Sequence, residues 1–410
     1  MRALISFCTF AAVLLFLTSA NNRCTNETAA ITKDTTSPVE SRKPNTEYKP
    51  AFEGQTRINA VKTTTAYKVE KIAEKIGRPW AITLLPDGRW IVTDKSGTMA
   101  IYSADGALQK KITGFPKVDD RGQGGMLDVA PDPDFSKNKT IYWSFSELQP
   151  GSDANLMAVA KGQLSADETT IQNPTVIFRA TPAIVSNAHY GSRLLFDKEG
   201  YLFVSTGERS LPEGRAKAQL LNMGQGKIYR LTKEGKPAPG NPFLNNKEAM
   251  PEIYAYGVRN PQSLAFHPAT GDLWEAEFGP RGGDELNLIK AGKNYGWPTI
   301  TYGLEYSGKA IGDAIQQKEG MEQPVYYWDP VLSPSGMVFY AGNAIPEWKN
   351  NLFIGGLSGH ICRLVIENNK VVGEERIMED KKERVRDVAY ANGMLYAVTD
   401  PGNIYRISKQ

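Results

Sequence analysis

Trp80-Ala-Ile-Thr-Leu-Leu-Pro-Asp-Gly-Arg-Trp-Ile-Val-Thr-Asp94 is a short apolar strand, a Pro-Asp-Gly turn and a second apolar strand. The phrase recurs as Ser192-Arg-Leu-Leu-Phe-Asp-Lys-Glu-Gly-Tyr-Leu-Phe-Val-Ser-Thr206, from Ser263 to Glu277, and from Arg386 to Thr399. Met126-Leu-Asp-Val-Ala130 and Gly336-Met-Val-Phe-Tyr340 open two more copies with longer turns. Gly226-Lys-Ile-Tyr-Arg-Leu231 and Gly402-Asn-Ile-Tyr-Arg-Ile407 read as third strands. The first strands begin near 80, 126, 193, 263, 336 and 386, about 45 to 75 residues apart, close to or above the blade lengths of propellers. Antiparallel hairpins restarting at such intervals predict an all-β chain, a six-bladed β-propeller of four-stranded antiparallel sheets. A pair of β-sandwiches is the alternative, and it leaves the regular restart unexplained.

Outward from the repeats, three regions are expected: a signal peptide over 1–20, a flexible leader over 21–64 and the propeller over 65–410. Arg2, the apolar run from Ala3 to Leu17 and Thr18-Ser19-Ala20 have the form of an export signal, too short for a membrane span. The protein is therefore expected in the periplasm or secreted. Cys24 follows that run and leaves a lipid anchor open, although Asn21-Asn22-Arg23 are bulky and polar where small residues precede an acylated cysteine. The leader is rich in Thr, Asn, Lys, Glu and Pro, without apolar periodicity.

The 410 residues are 41% apolar and 23% charged, with a net charge of +3 and no basic cluster, so nothing calls for a nucleic-acid partner. Three cysteines, one of them in the signal, exclude a disulfide framework. Three histidines make a multi-histidine metal site nearly impossible.

His189 precedes one blade's first strand and Arg259-Asn260 precede the next, so all three converge on one end of the central channel. A histidine there is either a packing residue or a general base. Arg-Asn-Pro-Gln also reads as a plain turn. Glu277-Phe-Gly-Pro-Arg-Gly-Gly-Asp-Glu285 forces an irregular loop whose carbonyls suit a hard cation such as Ca²⁺, with Asp284 and Glu285 as ligands or loop caps. Arg384 and Arg386 share one strand face and fit a carboxylate or phosphate, or a solvated edge.

In order along the chain stand Gly122-Gln-Gly-Gly-Met-Leu-Asp-Val129, His189-Tyr-Gly-Ser-Arg-Leu194, Gly257-Val-Arg-Asn-Pro-Gln262, Glu277-Phe-Gly-Pro-Arg-Gly-Gly-Asp-Glu-Leu-Asn287, Asn294-Tyr-Gly-Trp-Pro298, Pro334-Ser-Gly-Met337 and Arg384-Val-Arg-Asp-Val388. This set resembles the soluble glucose/sorbosone dehydrogenase family, in particular its aldose sugar dehydrogenases, from about residue 70 to the end. The resemblance implies pyrroloquinoline quinone (PQQ) and Ca²⁺ as cofactors and an aldose sugar as substrate, oxidised at the anomeric carbon to a lactone. It implies His189 as the base and Arg259 as the group polarising the quinone carbonyl. Gln123 and Asn260 would hold the ring, and the carbonyls of Gly279 and Pro280 would ligate Ca²⁺. Arg384 and Arg386 would pair with the cofactor's carboxylates, and Glu305 would ligate a second Ca²⁺.

Two departures stand out. Ser358 replaces a lysine that many members carry, with His360 either a compensating cation or a surface residue, and Asp132 replaces a turn histidine. No Cys-x-x-Cys-His haem motif is present, so electrons would leave to a separate acceptor. A Ca²⁺-dependent propeller lactonase and an inactive propeller that binds glycan or protein are the rival readings. Monomer or homodimer is left open.

Overall fold

The computed structural model describes residues 37–410. It is a six-bladed β-propeller, six four-stranded antiparallel sheets. Blade one holds β2 (Pro79–Leu84), β3 (Trp90–Asp94), β4 (Thr98–Tyr102) and β5 (Leu108–Ile112), after β1 (Tyr67–Ala73). Blade two holds β6 (Met126–Pro131), β7 (Thr140–Leu148), β8 (Asn155–Leu164) and β9 (Ile171–Arg179). Blade three holds β10 (Gly191–Phe196), β11 (Leu202–Thr206), β12 (Lys227–Leu231) and β13 (Ile253–Tyr256). Blade four holds β14 (Pro261–Phe266), β15 (Leu273–Glu277), β16 (Asp284–Ile289) and β17 (Tyr326–Trp328). Blade five holds β18 (Pro334–Phe339), β19 (Leu352–Gly356), β20 (His360–Glu367) and β21 (Lys370–Ile377). Blade six holds β22 (Val385–Ala391), β23 (Met394–Thr399) and β24 (Asn403–Lys409), and β1 pairs with β24 to complete it. β1, the first strand among the described residues, thus closes the ring and removes an open edge. The six innermost strands, β2, β6, β10, β14, β18 and β22, touch one another in a closed ring. No helix among the described residues is long and apolar enough to cross a membrane.

The core lies between blades. Leu85, Ile91 and Met99 of blade one pack with Val129, Trp143 and Phe145 of blade two. Middle strands are covered on both faces, so β11 is buried along its whole length instead of alternating.

A local device recurs. In all six blades the pairing register shifts near the start of the innermost strand. In three of them a hydroxyl on the second strand takes up a freed group. Thr93, Ser144 and Ser205 each accept an N–H of their own innermost strand, from Ala81, Asp128 and Arg193, all at 3.0 Å. Each also donates to a carbonyl of the next blade's innermost strand, at Leu127, Ser192 and Pro261, all at 2.7 Å. Bulges of this kind re-aim the residues beside them. Gly191 and Pro261, which follow His189 and Asn260, sit at two such shifts.

Arg193 spans the channel, its Nη1 3.0 Å from Asp128 and 3.2 Å from Asp387, with the guanidinium 4.7 Å from the Trp80 ring centroid. Blades one, two, three and six meet at this buried group.

Residues 1–36, with the signal and Cys24, lie outside the described residues. Residues 37–64 are not a loose tether but a strap packed on blades four and five. Val61 is buried, its N–H donates to the Glu374 carbonyl at 2.9 Å, and Gln55 Nε2 donates to the Pro324 carbonyl at 2.9 Å. The composition hid this because the strap docks through polar groups rather than an apolar stripe.

Candidate active site

His189 sits in the turn before β10 with a φ of 49°, a left-handed conformation that its backbone partners hold. Its N–H donates to Gln123 Oε1 at 2.8 Å, and the Gln123 N–H donates to the Asn187 carbonyl at 2.8 Å. The ring is buried, and Nδ1 lies 2.6 Å from Oε1 of Glu208, which is wholly buried. A carboxylate can only accept, so Nδ1 carries the proton and Nε2 keeps its lone pair. Burial, followed by the Arg259 charge, pushes the His189 pKa down to about 4, with Glu208 acting in the opposite sense. The imidazole is neutral at pH 7.

Glu208 is the residue that sequence reasoning missed. It opens the long connection Glu208–Met223, immediately after β11, and its N–H donates to the Arg259 carbonyl at 2.9 Å. A carboxylate at the start of a long loop, in the hairpin that follows a candidate base, was the available signal.

Arg259 Nη1 donates to the carbonyls of Phe278 at 2.8 Å and Gly279 at 2.6 Å, and its Nε has no partner. The guanidinium lies 5.0 Å from the Trp297 ring centroid. The backbone N–H groups of Arg259 and Asn260 both donate to Glu277 Oε2. Asn260 is fully buried; its Oδ1 accepts from the Gly191 N–H at 3.0 Å while its Nδ2 has no partner. Asp284 caps the loop, accepting from Gly279 N–H at 2.7 Å and Ser333 N–H at 2.6 Å, and burial pushes its pKa up to about 7. Of the two roles left open for Asp284, the structure shows the cap.

A cavity of about 450 Å³, within the usual range for small-molecule sites, gathers Gln123, His189, Arg259, Gly279, Pro280 and Arg384. Asn45, Arg281 and Tyr306 also line it. A larger open depression of about 650 Å³, between Gln219–Asn222 and Asn246–Met250, has only exposed charges, Lys247 and Glu248.

Several expected residues have other partners. Arg384 Nε and Arg386 Nε both donate to Asp400, at 2.7 and 2.9 Å, so neither guanidinium is an unpaired charge. Arg384 still lines the cavity; Arg386 does not. Glu305 is engaged by Arg215, whose opposite charge is its nearest counter-ion, and does not line the cavity. His360 is buried, with its pKa pushed down to about 4 by burial, so it supplies no charge in place of the missing lysine. Arg281 is the extra cation on the cavity wall.

The cavity suits a planar, multiply anionic cofactor: arginines on its wall and, beside it, two orphaned buried donors, Arg259 Nε and Asn260 Nδ2. The fit to Ca²⁺ is partial. The Gly279 carbonyl is taken by Arg259, and among the described residues no cluster of three or more His, Cys, Asp or Glu is arranged to hold a metal.

A sequence profile described as Glucose / Sorbosone dehydrogenase matches residues 76–406. Aldose sugar dehydrogenase YliI of Escherichia coli (strain K12) is 40% identical over 346 residues, 83% of this chain and 92% of that protein. A crystal structure of a glucose dehydrogenase superposes with a TM-score of 0.79 at 41% identity, covering 84% of this chain and 99% of the other. The PQQ-bound aldose sugar dehydrogenase of Streptomyces coelicolor superposes with a TM-score of 0.69 at 26% identity, covering 85% and 99%.

Proposed function

Because the chain belongs to the Glucose / Sorbosone dehydrogenase family, we propose that it is an oxidoreductase that oxidises aldose sugars at the anomeric carbon to lactones, with PQQ and Ca²⁺. The observation that carries this reading is the neutral His189, held by Glu208 and facing a cavity walled by Arg259 and Arg384. When bound, PQQ would accept the hydride from the anomeric carbon, and Ca²⁺ would draw charge toward the reacting carbonyl.

His189 Nε2 takes the proton of the anomeric hydroxyl, a step that a placed base accelerates by roughly 10²–10⁴. Glu208 keeps Nδ1 protonated and offsets the positive charge that develops on the ring. Asn260 Nδ2 and Arg259 Nε are buried donors without a partner and would be available to the cofactor's oxygens, although Asn260 itself does not line the cavity. Pro280 and, once Arg259 yields it, Gly279 would give carbonyls to Ca²⁺, which takes 6–8 oxygens, so most ligands must come from the cofactor and water. Gln123 holds the backbone turn of His189. Arg384 would reach a cofactor carboxylate through the guanidinium nitrogens that Asp400 leaves free, and Arg386 holds that Asp400 carboxylate through two further bonds. Arginine walls suit this anionic cofactor better than the acidic ring a Ca²⁺ lactonase needs.

Electrons then pass to a separate acceptor. We place the protein in the periplasm or outside the cell, on the strength of Arg2 and the apolar run from Ala3 to Leu17. The test is reconstitution with PQQ and Ca²⁺ and glucose-dependent reduction of a dye. Turnover that is lost in His189→Ala while PQQ binding persists supports the reading; absence of PQQ binding at micromolar concentration sinks it.

A further inference from the structure

One wall of the cavity comes from outside the propeller. In the strap, the Asn45 N–H and Nδ2 both donate to Asp329 Oδ1, at 2.9 and 2.8 Å. The Thr46 N–H and hydroxyl both donate to Asp329 Oδ2, at 3.0 and 2.9 Å. One buried carboxylate therefore takes four hydrogen bonds from two adjacent strap residues, and Arg57 Nη2 donates to the Asp329 carbonyl at 2.6 Å. This fixes Asn45 on the cavity wall, where its Oδ1 accepts from Arg281 Nε at 3.3 Å. The ring is closed by β1 without the strap, and the family profile begins at residue 76, beyond it.

Tyr306 lines the same cavity with 70% of its surface exposed. Among the described residues its hydroxyl makes no hydrogen bond and its ring no aromatic or cation–π contact, and the charge of Arg215 is its electrostatic neighbour. A large ring at a rim, beside an amide and a guanidinium with unused N–H donors, has the chemistry that binds a sugar: an apolar face for the C–H face of a pyranose and donors for its hydroxyls.

We propose that Asn45 of the strap and Tyr306 of the loop between β16 and β17 form a specificity wall that binds the part of the substrate beyond the ring being oxidised, so that the protein prefers reducing disaccharides and oligosaccharides to free monosaccharides. This rests on the sugar-oxidation reading above. With the cofactor bound, one pyranose would sit beside His189 and Arg259, which leaves a second sugar unit to meet the rim.

The experiment uses the full chain loaded with PQQ and Ca²⁺, as wild type, Tyr306→Ala, Tyr306→Phe and Asn45→Ala. Turnover is measured with maltose and with glucose, and maltose binding by calorimetry. In Tyr306→Ala, KM and Kd for maltose should rise about tenfold, the effect of losing one aromatic face. Its kcat, and KM for glucose, should stay within about twofold. Tyr306→Phe should bind maltose as wild type does, and Asn45→Ala should shift in the same direction as Tyr306→Ala. Unchanged maltose selectivity and Kd in both alanine variants of an active enzyme overturn the wall and leave the sugar-oxidation reading intact. If the loaded wild type oxidises no sugar, that reading falls. Calorimetry then decides the wall alone: maltose binding that weakens in Tyr306→Ala upholds it, and no maltose binding overturns it as well.

Discussion

Glu208 does for His189 what no property of the histidine itself can do. An isolated imidazole exchanges its proton between two nitrogens; a carboxylate 2.6 Å from Nδ1 fixes the tautomer that leaves Nε2 basic. Glu208→Gln is therefore expected to lower kcat by about 10- to 100-fold with PQQ affinity unchanged, measured by dye reduction and by cofactor titration. The pH profile has a definite sign. Because burial and Arg259 depress the His189 pKa to about 4, its imidazole is deprotonated throughout the neutral range, and, if it is the proposed base, kcat/KM should fall only as pH drops through about 4. In Glu208→Gln that limb should move to lower pH, because the group favouring the imidazolium has lost its charge. A limb near pH 6.5 in the wild type would show that His189 titrates as an exposed histidine and that this account of the site is wrong.

At the scale of elements, a hydroxyl on the second strand of three blades does two jobs at once. Ser205 accepts the Arg193 N–H where β10 is bulged and donates to the Pro261 carbonyl of the next blade. Ser205→Ala leaves both buried groups without a partner. It should cost about 1–3 kcal/mol, read as a lower denaturation midpoint with an unchanged slope. Because β10 and β14 begin just after His189 and Asn260, activity should fall with it. Thr93 and Ser144 belong to the same device. Their residue type was plain in Val-Thr-Asp94 and Trp-Ser-Phe145, but which blade each hydroxyl reaches across to was not.

For the whole molecule, closure and the channel are the decisive terms. Arg193 is the shared counter-ion of Asp128 and Asp387, carboxylates that burial alone would push toward the neutral form. Arg193→Met leaves two like charges buried together, and a loss of about 3–5 kcal/mol is expected from chemical denaturation. Removing the chain through Ala73 deletes β1 and leaves blade six with three strands and an open edge. That truncation should aggregate or lose its single cooperative transition, which light scattering and calorimetry would show.

The repeated hairpins, the six blades and the convergence of His189 with Arg259 were legible in the order of residues, because period, turn chemistry and the position of a residue before a strand are local properties. The packing of residues 37–64 was not, since polar anchors such as Asp329 lie almost 300 residues away in sequence. The same holds for the pairs at the site. That Glu208 meets His189, that Asp400 shares Arg384 and Arg386, and that Arg215 takes Glu305 are matters of which side chains the closed ring brings within 3 Å of one another. Sequence by itself determined the architecture and pointed to His189 as the candidate base; only the tertiary structure decided the partner of His189, its charge state and the walls of the cavity it lines, because burial and charge pairing exist only once distant segments have met.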